Sequence, residues 1–170
     1  MLSLPPKLLT LVQREKFPKA TPDAVALIKS LVELVVPESY FDLITRYGYL
    51  SFDLIDDPCN FDYVYREPEL SMGFNAAISH FMEAPRLQRY YTNLVLDDKA
   101  DDVPKFPAFM LPIGLDFGEN NILLECGGES DRIWFWEFQN EPWGTGNNVR
   151  LGFVAQTLND FLAGLYVSAD

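Results

Sequence analysis

The chain has 170 residues, with 13 Lys+Arg against 25 Asp+Glu and a formal charge of −12 at pH 7. Hydrophobic residues make up 48% and charged residues 22%, enough apolar surface to offset the entropy of ordering, which excludes an intrinsically disordered chain. The acid excess argues against nucleic acid and anionic membrane as partners, because both present charge of the same sign.

Residues 1–20 carry Lys7, Arg14, Lys16 and Lys19 against Glu15, so the first twenty residues are basic and residues 21–170 hold the whole acid excess. The first twenty read as an N-terminal appendage, a short helix from Pro5-Pro6 with Leu8, Leu9 and Val12 on one face, packed on the body or partly mobile. Its apolar patch is too short for a signal peptide, and no segment reaches the ~18 apolar residues of a membrane span. Residues 21–170 read as one domain, since a chain of this size buries roughly 70% of its unfolded surface in a single core.

Thr21 is an N-cap and Pro22 suits the first helical position. Val25, Ile28, Val32 and Val35 recur at helical spacing up to Pro37. Pro37 opens a second helix with Tyr40, Phe41, Ile44 and Tyr47 on its apolar face, stopped by Gly48. Leu50, Phe52 and Leu54 alternate as a strand, Asp56-Asp57-Pro58 turn, and Phe61 to Tyr65 form another strand. Phe74, Ala77, Ile78, Phe81 and Met82 predict a helix within 70–95, divided by Pro85, and residues 97–104 are a charged loop.

The second half predicts strands at Phe109–Ile113, Asn121–Cys126 and Arg132–Phe138, the last two joined as a hairpin. Trp134, Trp136 and Phe138 share one face of the third strand, with Ile133 and Phe135 on the other, so cover is expected on both sides. Residues 139–148 form a Gly/Asn-rich loop around Trp143, and Val149–Val154 one more strand. Thr157 caps a final helix with the stripe Leu158, Phe161, Leu162, Leu165 and Tyr166. The expected fold is α+β: an antiparallel or mixed sheet of about five to six strands flanked by helices.

Chemistry-bearing patterns are few. His80 is the only histidine, so a His-based triad or multi-His metal site does not fit within one chain. Cys59 and Cys126 read as two buried thiols of a reducing compartment, which with the absence of a membrane span predicts a cytoplasmic protein. Gly144-Thr145-Gly146 lacks the third glycine of a dinucleotide fingerprint and precedes a strand. No cofactor or metal is expected. Paired carboxylates are the remaining route to an enzyme, a hydrolase using Glu125 and Glu137. If the turn pairs Cys126 with Arg132, Glu125 falls opposite Ile133 and Glu137 opposite Asn121. That leaves ~13 Å between them at ~3.3 Å per residue, beyond the ~5–9.5 Å that a glycosidase pair needs.

The acidic surface remains. Acids crowd the connections at 53–69 and 97–102 and outnumber bases across 116–141. The bland reading is solubility; the functional one is electrostatic capture of a basic protein, since complementary fields speed association. On that reading Asp56, Asp57, Asp97, Asp98, Asp101 and Asp102 are the partner-binding acids. Trp143 is either an exposed anchor or a lid over the sheet.

Several segments together resemble a known family. They are Val36-Pro37-Glu38-Ser39-Tyr40-Phe41-Asp42-Leu43-Ile44 through Tyr47-Gly48, Leu111-Pro112-Ile113-Gly114, Asn121-Ile122-Leu123-Leu124 with Ile133-Trp134-Phe135-Trp136-Glu137, and Val154-Ala155-Gln156-Thr157-Leu158-Asn159-Asp160-Phe161-Leu162. In this order, over residues 21–166, they resemble the SUKH superfamily. The resemblance implies a binding domain without catalysis. Many bacterial members resemble immunity proteins that neutralise secreted toxins, often nucleases, and fungal relatives are linked to regulation of cell-wall synthesis. It implies no catalytic residues; Pro37, Tyr40, Gly48, Pro112, Gly114, Trp136 and Phe161 read as fold-makers, with Gly114 turning the chain and Trp136 meeting Phe161 in the core. The expected function is a cytoplasmic immunity protein that occludes a basic toxin. An intracellular regulatory or scaffold module is the alternative.

Overall fold

A computed structural model describes residues 2–52, 59–65, 73–96, 104–128 and 131–167. Helix α1 spans Pro6–Glu15 and stops where Lys16 turns left-handed. Leu2, Leu4, Leu8, Leu11 and Phe17 are all buried in the main core, so this segment is packed on the body. Helix α2, Pro22–Leu31, starts where the Thr21 side chain accepts from Ala24 N. It ends at Leu31, short of Pro37: Val32 is already extended. Three β-branched residues before a proline are poor helix formers, and the Val35 carbonyl instead accepts from Gly127 N at 2.9 Å.

Helix α3, Glu38–Asp42, runs on into a π turn over Leu43–Tyr47. Gly48 ends it at φ +97°, and a Cβ there would meet the Pro18 and Phe17 carbonyl oxygens at 2.6 and 2.8 Å. Both the conformation and the space require glycine. Of the strand expected over Leu50, Phe52 and Leu54, Leu54 lies outside the described residues, as does the turn at Asp56-Asp57-Pro58. Leu50 and Phe52 lie beside the end of a strand through Phe52 N to Ser79 O and Phe81 N to Leu50 O.

The strands are β1 Cys59–Tyr65, β2 Gly73–Phe81, β3 Met110–Asp116, β4 Asn121–Glu125, β5 Ile133–Trp136, β6 Gly152–Ala155 and β7 Tyr166–Val167. Every ladder is antiparallel. β1 to β6 pair in sequence, and β6 returns to β1 through Val64↔Phe153 and Tyr65↔Gly152. The fold is α+β with an antiparallel sheet, as expected, and six of its strands close into a barrel, a closure the sequence pattern did not specify. The other half of the same β1 edge takes β7 through Cys59↔Val167 and Asn60↔Tyr166.

β2 replaces the helix expected around Phe74–Met82. Its register with β3 slips between Ile78 and His80, and the extra residue breaks the period-2 alternation. Gly114 lies within β3 rather than at a turn. A Cβ there would meet the His80 carbonyl oxygen at 2.9 Å, so the glycine admits the bulged strand.

Helix α4, Ala84–Tyr91, leads into a second π turn at Thr92–Leu96, and α5 covers Leu158–Gly164. The Thr157 hydroxyl accepts from Asp160 N at 3.0 Å, as the capping pattern predicts. One sheet face, with Phe61, Tyr63, Ile113, Ile122 and Phe135, shares a core with Ile28, Tyr40, Leu158 and Phe161. The other, with Met110, Leu123 and Trp136, forms a smaller core around Phe106. Trp136 and Phe161 therefore do not meet. Trp136 packs edge-on to Phe106 at 5.4 Å and Phe161 on Phe61 at 5.6 Å. Among the described residues no helix is long and apolar enough to cross a membrane.

Candidate functional site

The barrel closes at a seam, and a polar cleft opens beside it. Its volume is about 440 Å³, and Tyr65, Glu137, Gln139, Gly146, Asn147, Val149 and Arg150 line it. Alternation along β1 puts Tyr63 and Tyr65 on one face, with rings edge-to-face at 5.6 Å. Both hydroxyls donate to the same Glu137 oxygen, Oε1, at 2.7 and 3.1 Å. Burial, and then the Glu137 carboxylate, hold both phenols above their ordinary pKa, so they stay donors at neutral pH. The Arg150 guanidinium lies 4.0 Å over the Tyr65 ring. Gly152 makes the arrangement fit: a Cβ there would come within 2.4 Å of the Tyr63 ring.

The β5–β6 connection that rims the cleft is pinned from inside. Asn148 is buried; its Oδ1 accepts from Trp136 Nε1 at 2.7 Å and its Nδ2 donates to the Glu141 and Lys105 carbonyls. Trp143 sits on this loop, partly exposed, with its backbone N–H donating to Pro104 O at 2.8 Å. Val149, at the end of this loop, is exposed and lines the cleft. The site is thus a carboxylate in fixed orientation among aromatic and aliphatic surface, on a braced loop.

The two glutamates of the hydrolase reading do not come together. Asn121 pairs with Trp136 and Leu124 with Ile133, one residue off the expected register. A slip of one exchanges faces. Glu125 therefore shares the outer face with Trp134, whose Nε1 donates to it at 2.9 Å, and Arg132 stands 3.7 Å away. Glu137 lies on the opposite face with the tyrosines, about five residues along the ladder, or ~17 Å. His80 is also engaged. Arg86 Nη1 is 2.9 Å from its Nε2 and Ser79 Oγ 2.8 Å from its Nδ1. Because arginine only donates, Nε2 is the acceptor of that contact. The thiols of Cys59 and Cys126 are buried and unlinked, and burial pushes both up in pKa, Cys126 to about 12. Among the described residues no three His, Cys, Asp or Glu side chains converge on a metal position.

A second cleft opens on the outer face. It measures about 480 Å³ and is lined by Arg89 and Tyr90 from the end of α4, Asn93 and Leu94 from the π turn after it, Gly118 and Glu119 from the β3–β4 turn, Asn121, and Phe138. Asn121 is 1% exposed, and neither its Nδ2 nor its Oδ1 has a hydrogen-bond partner. An amide left in that state costs about 1–3 kcal/mol for each unpaired group.

Trp143 is the one expected partner-binding residue inside the described segments. Asp56, Asp57, Asp97, Asp98, Asp101 and Asp102 lie outside them. Fourteen of the 25 acids and eleven of the 13 bases fall among the described residues. The described body is thus nearly charge-balanced, and the acid excess belongs mostly to the other segments. Sequence reasoning missed Tyr63, Tyr65 and Asn121 as site residues. The F-D-Y-V-Y alternation aligns the two tyrosines, but nothing local ties them to a glutamate more than seventy residues on. No family model, curated protein or solved structure matches the chain.

Proposed function

We propose that this chain is a SUKH-like, non-catalytic protein-binding domain that acts in the cytoplasm as an immunity protein, neutralising a basic toxin by stoichiometric occlusion. One observation carries this reading: Glu137, held by the Tyr63 and Tyr65 hydroxyls at the mouth of a cleft rimmed by a braced loop. An oriented carboxylate receives a lysine or arginine of a partner without first losing side-chain entropy. Trp143 on the same loop supplies the kind of aromatic anchor enriched among interface hot spots. The acids outside the described segments add long-range attraction that raises the association rate.

The test mixes the purified full chain with secreted toxins encoded beside its gene. A 1:1 complex that abolishes toxin activity, with association slowed at least tenfold from low to high salt and weakened by Glu137→Gln, is the expected result. No complex with any such toxin, or a complex that leaves toxin activity intact, overturns the immunity reading; the second outcome favours a regulatory or scaffold module.

A further inference from the structure

We propose that the outer-face cleft binds an adenine mononucleotide. It lies on the opposite sheet face from the Glu137 cleft, and the proposal does not rest on the partner-binding reading. Its volume of about 480 Å³ falls within the ~300–1,000 Å³ typical of small-ligand sites. The argument starts from Asn121. β4 places it opposite Trp136 and Leu115, a position where an aliphatic residue would bury well. The chain instead places there an amide, 1% exposed, with both polar atoms unpaired. No hydrogen bond holds its rotamer, and the side chain lines the cleft.

A carboxamide offers one donor beside one acceptor. Its complement is a ligand edge with one acceptor beside one donor, and the N7/N6 edge of adenine has that pattern. The guanine N7/O6 edge offers two acceptors and leaves the amide oxygen unmatched. Tyr90 and Phe138 provide aromatic surface on which a base stacks, and Phe138 is half exposed in the empty cleft. Arg89, exposed at the mouth, suits a phosphate. Glu119, with Arg86 Nη2 at 3.8 Å, presents acceptors for ribose hydroxyls.

The walls are braced. Asp116 accepts from Gly118 N, Asn120 N and Asn120 Nδ2 at 2.7–2.9 Å. Asn120 Oδ1 in turn accepts from Phe138 N at 2.9 Å, tying the turn to the aromatic wall. The overall charge of −12 disfavours a polymer with many phosphates, while a mononucleotide needs only the local cation.

The test titrates the full chain with AMP, adenosine, GMP and inorganic phosphate, read by calorimetry and by amide NMR including the asparagine side chains. AMP is expected to shift the Asn121 side-chain amide and the backbone amides of Glu119 and Phe138. Asn121→Leu is expected to weaken AMP roughly tenfold or more. Arg89→Gln, an exposed change that leaves packing intact, is expected to weaken AMP while leaving adenosine unchanged. The proposal is overturned by no shifts with millimolar AMP, by phosphate alone reproducing the AMP shifts, by GMP binding as well as AMP, or by unchanged AMP binding to a folded Asn121→Leu protein.

Discussion

Replacing Asn121 by leucine tests the orphan amide directly, and the structure sets the sign. Asn121 is almost wholly buried and both side-chain polar atoms lack partners. Each such group costs about 1–3 kcal/mol. Leucine has the same branched skeleton and removes both, which recovers about 2–6 kcal/mol, but it is the larger side chain, and overpacking returns about 1–3 kcal/mol. The net expectation is a gain of about 1–3 kcal/mol. For a chain of this size that raises Tm by roughly 2–4 °C per kcal/mol. Urea denaturation followed by tryptophan fluorescence reads it, since Trp136 sits across the ladder from residue 121. A higher midpoint with unchanged m-value is the predicted signature. A loss of about 1 kcal/mol or more at constant m-value would show that the amide is satisfied in the folded protein, and the reasoning about the outer cleft would fall with it.

The other predictions are as follows. In a double-mutant cycle, Tyr63→Phe and Glu137→Gln should show a coupling of about 1 kcal/mol, measured by denaturation; zero coupling would mean that the 2.7 Å contact adds nothing. Cys126, pushed by burial and then by Glu125 from 9.0 to about 12, ionises first in the unfolded chain. Its contribution is complete below pH 9 and lost as pH rises toward 12, about 1 kcal/mol between pH 9 and 10. Cys126→Ala should flatten the stability–pH curve by that amount under reducing conditions, and an unchanged slope would contradict the burial of the thiol. Gly152→Ala should destabilise by about 1–3 kcal/mol, because its Cβ would lie 2.4 Å from the Tyr63 ring, whereas Gly164→Ala, with nothing within 4 Å, should be neutral or gain up to ~1 kcal/mol. Equal thermal shifts for the two glycine variants would rule out the close approach at the seam.

Much of the local structure was legible because its determinants are local. Thr21 and Thr157 cap the helices they were expected to cap, and the Asn121 and Ile133 segments form adjacent strands. The failures have physical causes. In β2 the slip between Ile78 and His80 buries Ile78, Ser79, Phe81 and Met82, which imitates helical spacing in a strand. The hairpin connection was counted one residue long: Leu124, not Glu125, pairs with Ile133, and that single step put Glu125 and Glu137 on opposite faces. Barrel closure and the Tyr63–Glu137 contact join residues more than seventy apart, where neither period nor capping leaves a trace. Asn121 looked like an ordinary strand start, because a missing hydrogen-bond partner is a property of three dimensions.

Strand β1 sits at the junction of three ladders, to β2 on one edge and to β6 and β7 on the other. Its residue Val64 waits for Phe153, nearly ninety positions further along. During synthesis the ring therefore stays open until the ribosome has released residues 152–155. Until then β1 offers an unpaired edge to any neighbouring nascent chain, and closure depends on one long-range encounter of the kind that slows β-rich folding to milliseconds or seconds. Mispairing at that edge is the characteristic hazard of making this protein, and it ends when β6 arrives.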